Sequence, residues 1–290
     1  MSEPLVRFQP VSKRNPCKVC GKPDWCLISK DGGTAICQRV ESDRKVGDKD
    51  AGWSHKIADV PRPLGPLRPP PPEDMSPRFN VPAVMHKFRE AMSEQRVVAQ
   101  AESMGIDPAG LEMLGIGYDA SSDALAFPMK DGAGELVGIR LRHCHTGEKW
   151  AYPDSRNGLF YSDCLLGIGP VYIVEGPTDT AAMLGLGLEG DVIGRPFSHG
   201  GVLYLRQLLG DRIDRTIVII HDNDPVNLKT GKRPGLQGAV NLAREFPKHS
   251  VKLMVCPGGW KDPRAWISKG KATASTIAWA AKNVKTWRSN

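Results

Sequence analysis

The sequence lacks the features that place a protein in a membrane or outside a cell. Its 290 residues contain no run of about 20 apolar residues, the length that a membrane-spanning helix requires. The opening stretch, MSEPLVRFQPVSKRNP, has no apolar core of the kind found in secretory signals. We therefore expect a cytoplasmic protein with no membrane contact. A wholly disordered chain, a collagen repeat and a small disulfide scaffold are also excluded, because 40% of the residues are hydrophobic and 24% are charged.

Acidic residues are missing from the last part of the chain. The segment 269–290 holds five Lys and Arg residues and no Asp or Glu, and residues 1–72 hold 13 basic against 8 acidic residues. The net charge of +7 therefore lies at the two ends, around a mildly acidic middle. Basic ends attract phosphate backbones, although they are equally typical of solvated tails. We predict an amphipathic basic helix over Ala272–Trp287, which contacts either a partner or DNA.

Four of the seven cysteines are concentrated within 21 residues: Cys17, Cys20, Cys26 and Cys37. The pair Cys17-x-x-Cys20, followed by glycine, is typical of a knuckle that brings two thiolates onto one metal ion. The triplet 31–33, Asp-Gly-Gly, predicts a hairpin turn that places the other two cysteines on opposite strands. A cytosolic chain rarely forms disulfides, so the pattern predicts a zinc ribbon.

Two details of this ribbon stay open at the level of sequence. The spacing to Cys37 is longer than in a second C-x-x-C pair, so His55 is an alternative zinc ligand. Trp25, next to the third cysteine, either stacks on a nucleic-acid base or packs against the knuckle.

Prolines divide the chain after the ribbon. Residues 61–82 read PRPLGPLRPPPPEDMSPRFNVP, which cannot form a helix or a central strand and predicts an extended linker. We expect a zinc-ribbon domain at 1–60, the linker at 61–82, a basic region at 83–168, an α/β domain at 169–268 and a basic C-terminal helix at 269–290.

The basic region combines helix and strand patterns. Apolar residues recur with helical periodicity over 83–104, and 124–128 and 136–142 predict strands. Arg140 and Arg142 are two positions apart, so they project from the same face of their strand. Two arginines on one face suit phosphates or an acidic groove, and are also found on solvated sheet faces.

From residue 170 onward, apolar strands alternate with helices, which predicts a parallel sheet covered on both faces. Ligands of such sheets bind beyond the carboxyl ends of the strands. Glu175 closes one predicted strand there, and Asp222 and Asp224 follow another. Carboxylate oxygens with open coordination positions suit Mg²⁺, whereas a structural interpretation makes these residues helix N-caps.

These motifs together resemble one family. The E-G-P-T-D at 175–179 and D-N-D at 222–224 resemble the TOPRIM domain of bacterial-type primases, topoisomerases, nucleases and recombination mediators. The K-D-P at 261–263, the G-I-R-L-R at 138–142 and the basic stretch 149–161 are similar to elements of the primase branch. A zinc ribbon and linker in front complete the primase order.

The resemblance implies a primase that makes short RNA primers on single-stranded DNA from ribonucleoside triphosphates, with structural zinc and catalytic Mg²⁺ or Mn²⁺. Glu175 would be either a metal ligand or the base that accepts the hydroxyl proton. The implied catalytic residues are acidic: Glu175, Asp222, Asp224, Asp179 and Asp262. The implied nucleic-acid and nucleotide contacts are basic: Arg140, Arg142, Lys149, Lys229, Lys232, Arg233 and Lys261.

One departure from the family pattern points to a particular group of primases. The stretch 225–234, PVNLKTGKRP, is an inserted basic loop similar to those of primases from phages, plasmids and other mobile elements. The sequence has no P-loop pattern, so a replicative helicase would be a separate partner. Two alternatives keep the fold: a TOPRIM nuclease with the same carboxylates, or a non-catalytic DNA-binding recombination mediator.

Overall fold

The computed structural model divides the chain into two compact units, Met1–Asp74 and Met75–Asn290. It describes the following residues: 8–30, 32–46, 52–57, 79–210, 213–227 and 231–288. Most of the predicted linker, 61–78, therefore lies outside the described residues. No helix among the described segments is long and apolar enough to cross a bilayer.

The first unit is a small antiparallel sheet of four strands in the order β1-β2-β3-β4. Their bounds are Phe8–Pro10, Leu27–Ser29, Thr34–Cys37 and Trp53–Lys56. Gly32 has a φ of 75°, a left-handed value that suits glycine in the turn between β2 and β3. Cys26 directly precedes β2 and Cys37 ends β3, so the turn places these two cysteines on neighbouring strands as predicted.

The second unit begins with three helices: α1 (Val81–Glu90), α2 (Glu94–Met104) and α3 (Pro108–Met113). The helical periodicity predicted over 83–104 is therefore confirmed, and it is divided between two helices. The Ser93 hydroxyl accepts a hydrogen bond from the Arg96 backbone N–H and starts a new helix there. Helix α1 also begins inside the last residues of the predicted linker, where the Asn80 side chain caps it.

A four-stranded antiparallel sheet follows, in the order β5-β6-β7-β8. Its strands are Gly117–Asp119, Ala124–Lys130, Leu136–His143 and Lys149–Ala151. One face packs on α1 through Ile139 and Leu141. Strand alternation then turns Arg140 and Arg142 to the opposite face, where their cross-strand partners Phe127 and Leu125 belong to the main core.

The second sheet is parallel throughout, in the order β10-β9-β11-β12. Its strands are Val171–Glu175 (β9), Asp191–Arg195 (β10), Ile217–His221 (β11) and Val251–Val255 (β12). The helices are Pro177–Leu184 (α4), Val202–Leu209 (α5), Pro234–Arg244 (α6), Pro263–Ser268 (α7) and Ala274–Asn283 (α8). A buried core lies on each face, one with α4, α7 and α8 and the other with α5 and α6, which confirms the predicted α/β class.

A short segment joins the two sheets of this unit. Leu159 forms a β-bridge with Lys130 of β6, and the adjacent Phe160 forms one with Gly194 of β10. Glycine is needed on both sides, because a Cβ at Gly158 would lie 2.6 Å from the Lys130 carbonyl oxygen and one at Gly194 would lie 2.0 Å from a threonine hydroxyl. We call the pair Leu159–Phe160 the bridging segment between the sheets.

The C-terminal helix is shorter than the predicted span Ala272–Trp287. Helix α8 ends at Asn283, and the chain then runs back along β12, where the Trp287 N–H donates to the Val251 carbonyl oxygen at 2.7 Å. The helix is amphipathic as expected, with Ile277 buried and Trp279 67% exposed.

Candidate metal cluster and acidic rim

The four cysteines of the first unit form one cluster. The sulfur atoms of Cys17, Cys20, Cys26 and Cys37 all lie within 4.8 Å of one another. The distance from Sγ of Cys26 is 3.8 Å to Cys20 and 3.9 Å to Cys37. A tetrahedral zinc ion with bonds of about 2.3 Å separates its sulfur ligands by about 3.8 Å. The donor set therefore fits zinc in both chemistry and spacing.

The thiols of this cluster differ in their tendency to ionise. Burial opposes ionisation of Cys20, but hydrogen bonds from the Lys22 backbone and from the other thiols lower its pKa to about 6. Burial raises the pKa of Cys26 to about 12. Four thiols in one pocket thus cannot all ionise at neutral pH without a cation, which a divalent metal supplies. His55 is not in the cluster, because its Nε2 atom lies 2.9 Å from the Val40 carbonyl oxygen.

The parallel sheet carries the predicted acidic residues on its carboxyl edge, which we call the acidic rim. Glu175 ends β9 and Asp222 follows the last residue of the adjacent strand β11. Arg195 ends β10, level with Glu175 in the strand register, and is buried. The strand order therefore brings Arg195, Glu175 and Asp222 side by side, in the position where parallel sheets bind ligands.

The D-N-D loop is held at the rim from two sides. The Asn223 N–H donates to the Lys261 carbonyl oxygen at 2.7 Å, which fixes the loop to the K-D-P segment. Asp224 accepts a hydrogen bond from the Gly235 N–H at 3.1 Å, at the start of α6. A Cβ at Gly235 would lie 2.5 Å from the Asp222 carbonyl oxygen, so this close approach requires glycine.

Asp179 and Asp262 are the most buried acids of the group, and both hold helix α7. The Asp262 carboxylate accepts from the Ala265 N–H at 2.7 Å as the N-cap, and Asp179 accepts from the Arg264 N–H at 3.1 Å. The N-cap interpretation therefore applies to Asp262, and in part to Asp224, which bonds to the first turn of α6. It does not apply to Glu175 or Asp222, for which the structure gives no capping bond.

The acids at the rim repel one another. Burial, followed by the charges of Asp179, Glu175, Asp262 and Asp224, raises the pKa of Asp222 to about 7. Burial and the charge of Asp262 raise the pKa of Asp179 to about 7. Burial also raises the pKa of Glu175, although nearby Arg195 opposes the effect. In the described part of the chain, none of these five carboxylates forms a salt bridge.

A divalent cation fits this rim. One oxygen of Asp222, Oδ1, is buried without a hydrogen-bond partner among the described residues, which is costly unless a ligand satisfies it. The donors are carboxylate oxygens, the ligands that Mg²⁺ and Mn²⁺ prefer. The acids do not converge as tightly as the cysteines: within the described segments, the cysteine cluster is the only group of three or more candidate ligands that meet at one point.

A basic strip faces the rim from the antiparallel sheet. Arg140, Arg142 and Lys149 share one face, because Arg142 is the cross-strand partner of Lys149. Both arginines are half-buried, and desolvation lowers their pKa values. The Lys149 ammonium lies 3.3 Å from the Thr178 hydroxyl at the start of α4, and the charge of Asp179 acts on it.

The remaining predicted basic residues lie on the loops around the D-N-D segment. Lys232 and Arg233 are exposed, and the Arg233 guanidinium lies 3.4 Å from Oδ1 of Asn223. Lys261 is exposed, and its carbonyl oxygen accepts the bond from Asn223. Lys229 lies outside the described residues.

Two basic residues at the site escape prediction from sequence. Arg264 follows Asp262 by two positions. Its positive charge repels that of Arg142 in the basic strip and so contributes to the lowered pKa of Arg142. A cation in the first turn of a helix is unfavourable, which is the signal that could have identified it. Arg195 could have been found from its place at the end of an apolar strand, level with Glu175.

The comparisons with known proteins give a likeness in fold alone. No protein-family model matches the sequence, and no curated protein matches it either. The chain is similar in structure to the E. coli primase catalytic core, with a TM-score of 0.52 and 13% identity, over 71% of this chain and 79% of that one. It is also similar to the zinc-binding and RNA polymerase domains of the Aquifex aeolicus primase, with a TM-score of 0.53 and 16% identity, over 71% and 60% of the two chains. A DnaG primase catalytic domain bound to single-stranded DNA matches with a TM-score of 0.52 and 12% identity, over 71% and 78%. The structural neighbours are thus DnaG-type primase domains.

Proposed function

We propose that the protein is a DNA primase, which joins ribonucleotides into short primers on a single-stranded DNA template. The observation that carries the proposal is a set of carboxylates that form no salt bridge within the described residues, one of them with an unsatisfied oxygen, opposite a basic strip in a fold similar to primase catalytic cores. Phosphodiester synthesis needs both: anionic oxygens for a divalent metal, and cations for template or triphosphate.

In this proposal, Glu175, Asp222 and Asp224 hold Mg²⁺ or Mn²⁺, which neutralises charge on the reacting phosphates when bound. Asp179 and Asp262 support the rim by fixing the start of α7 beside it. Arg140, Arg142 and Lys149 bind template or triphosphate through charge-assisted hydrogen bonds. Glu175 either completes the metal site or accepts the proton of the attacking 3′-hydroxyl.

The loops add cations to the same edge. Lys232, Arg233 and Lys261, together with Lys229 in the sequence, would contact the triphosphate or the displaced end of the template. The first unit, loaded with structural zinc, would bind template DNA. A replicative helicase would act as a separate protein. The inserted basic loop at 225–234 would place the protein among primases of mobile elements.

One assay tests the proposal against its two alternatives. The zinc-loaded protein is incubated with single-stranded DNA, labelled ribonucleoside triphosphates and Mg²⁺ or Mn²⁺. New labelled oligomers that depend on template support a primase. Shortened template supports a nuclease, and retained template without product supports a DNA-binding mediator; either result overturns the proposal.

The site is tested with Glu175→Gln and Asp222→Asn in the same assay. We expect each to reduce primer synthesis at least about 100-fold, because metal stabilisation of developing charge is worth several kcal/mol. Glu189→Gln is the matched control, because Glu189 is exposed and lies before β10, at the other end of the sheet. Full synthesis by Glu175→Gln and Asp222→Asn would show that the acidic rim is not the active site.

A further inference from the structure

The zinc-ribbon unit holds a large aromatic side chain in solvent. Trp25 is 75% exposed, more than any other large hydrophobic side chain among the described residues. It does not take part in the buried core around the cysteines, which includes Val11, Cys26 and Ile28. Of the two placements that the sequence leaves open, packing against the knuckle is therefore not the one observed.

The turn that carries Trp25 is fixed on both sides. Trp25 has a φ of +66°, a left-handed backbone conformation that residues with a Cβ rarely adopt. On one side, the Arg39 guanidinium binds the Asp24 carboxylate at 2.7 Å and the Asp24 carbonyl oxygen at 2.9 Å. On the other side, Cys26 belongs to the metal cluster. The ring is thus held away from the protein by a rigid turn, at a conformational cost that burial does not offset.

The surroundings of this ring are positive. The stretch 8–30 that carries it holds five Lys and Arg residues and one acidic residue, Asp24, which binds Arg39. The whole unit 1–74 holds 13 basic and 10 acidic residues, and four thiolates around one Zn²⁺ would add two negative charges, so its net charge is only +1 and the positive charge is local to this stretch. Lys18 lies within the knuckle and Lys22 lies between the knuckle and Trp25, and both side chains are exposed. A local positive charge favours a negatively charged polymer as the ligand over a protein surface with few acidic residues.

We propose that Trp25 is a stacking platform for one base of single-stranded nucleic acid, with Lys18 and Lys22 at the flanking phosphates. The ligand class rests on the proposed function, which supplies single-stranded DNA. Stacking on an exposed ring tolerates every base, because each base has a π-face, so the platform would grip the template without selecting its sequence.

The test separates stacking from charge by removing the bases from the ligand. Affinity of the full-length, zinc-loaded protein is measured by fluorescence anisotropy for a labelled oligothymidylate and for an abasic oligonucleotide of equal length. We expect Trp25→Ala and Trp25→Leu to weaken binding of the base-bearing strand about tenfold and to leave the abasic strand nearly unaffected. Trp25→Phe, which keeps a ring, should stay within about threefold of the wild type.

Two matched variants calibrate the result. Ile168→Ala removes another highly exposed apolar side chain, just before β9 and away from the acidic rim, and should leave both affinities unchanged. Lys22→Gln should weaken both strands alike, because it removes a phosphate contact. Zinc content of one per chain is required of each variant, and Trp25→Leu keeps an apolar side chain should the alanine variant lose its metal.

The inference is overturned if Trp25→Leu with full zinc content binds oligothymidylate like the wild type, a result that would assign the ring to a protein partner. It is also overturned if both strands lose affinity equally. Binding is measured without nucleotides or divalent metal at the rim, so a protein that makes no primers can still pass this test, and an active primase can fail it.

Discussion

The cysteine cluster and the acidic rim both gather metal-binding side chains, but they do so in different ways. The cluster is tight, with sulfur atoms 3.8–3.9 Å from Cys26, and three of its four cysteines are buried. At the rim, the carboxylates stand on separate strands and loops, and several of them also serve as hydrogen-bond acceptors for helix starts. The cysteines close around a single position that a zinc ion would fit, whereas the rim leaves an oxygen of Asp222 without a hydrogen-bond partner among the described residues.

This difference is consistent with the two roles proposed above. A small unit cannot bury enough apolar surface to be stable alone, so a closed tetrahedral ion replaces part of its core. A catalytic cation must keep open positions for substrate oxygens, so its protein ligands are few and spread out. The larger unit has three apolar cores of its own and can tolerate repulsion among its acids.

The largest effect is expected from a substitution that removes one ligand of the cysteine cluster. Cys26→Ser should abolish zinc binding and unfold the first unit, because structural zinc contributes about 10–16 kcal/mol to the folding of such domains. Zinc content per chain and hydrogen exchange of residues 8–57 report the loss, while exchange of residues 79–288 should be unchanged. Cys164→Ser, at an exposed cysteine outside the cluster, is the control. Retention of stoichiometric zinc would contradict the assignment.

The next prediction concerns the stability that the protein loses by holding repelling carboxylates together at the acidic rim. Without divalent metal at pH 8, Asp222→Asn should raise the melting temperature by about 4 °C, or roughly 1–2 kcal/mol, because it removes a buried, repelled charge. The pKa of Asp222 is raised from 3.8 to about 7, so the charged form is disfavoured in the folded state. The penalty is therefore full above pH 7 and fades as the pH falls toward 4.

Calorimetry at pH 8 and at pH 5 checks the sign of this effect. The difference between Asp222→Asn and the wild type should shrink at pH 5, and Mg²⁺ should stabilise the wild type more than the variant. Asp214→Asn, an exposed residue before β11 at the other end of the sheet, should change nothing. Destabilisation by Asp222→Asn at pH 8 would mean that the carboxylate has an undetected partner.

The smallest effect separates support from catalysis within the rim. Asp262→Ala should lower the melting temperature by about 3 °C, because loss of an N-cap costs about 1 kcal/mol. Asp262→Asn keeps a capping oxygen and should restore both stability and most primer synthesis. If the asparagine variant is stable but inactive, Asp262 is a metal ligand rather than a positioning residue.

Much of the fold follows from local patterns in the sequence. Apolar runs such as 217–220 predict buried parallel strands, and the glycine turn at 32–33 predicts the hairpin between the cysteines. The placement of Glu175 and Asp222 at one edge could be predicted, because the carboxyl ends of parallel strands share an edge.

Other features depend on contacts that are distant in sequence. Ser93 divides a periodic stretch into two helices through a single hydroxyl, which periodicity does not reveal. Arg140 and Arg142 lie on the face of their sheet opposite α1, because Ile139 and Leu141 of the same strand pack on that helix. The role of Asp179 at α7 required knowledge of a contact across 85 residues, whereas Asp262 caps the same helix through a contact three residues away.

The bridging segment Leu159–Phe160 sets the spacing between the two sheets of the larger unit. Two β-bridges, Lys130 to Leu159 and Phe160 to Gly194, connect the sheet that carries the basic strip with the sheet that carries the acids. A change in the spacing between the two sheets would have to break one of these bridges. The distance from the basic strip to the acidic rim is therefore set when the chain folds.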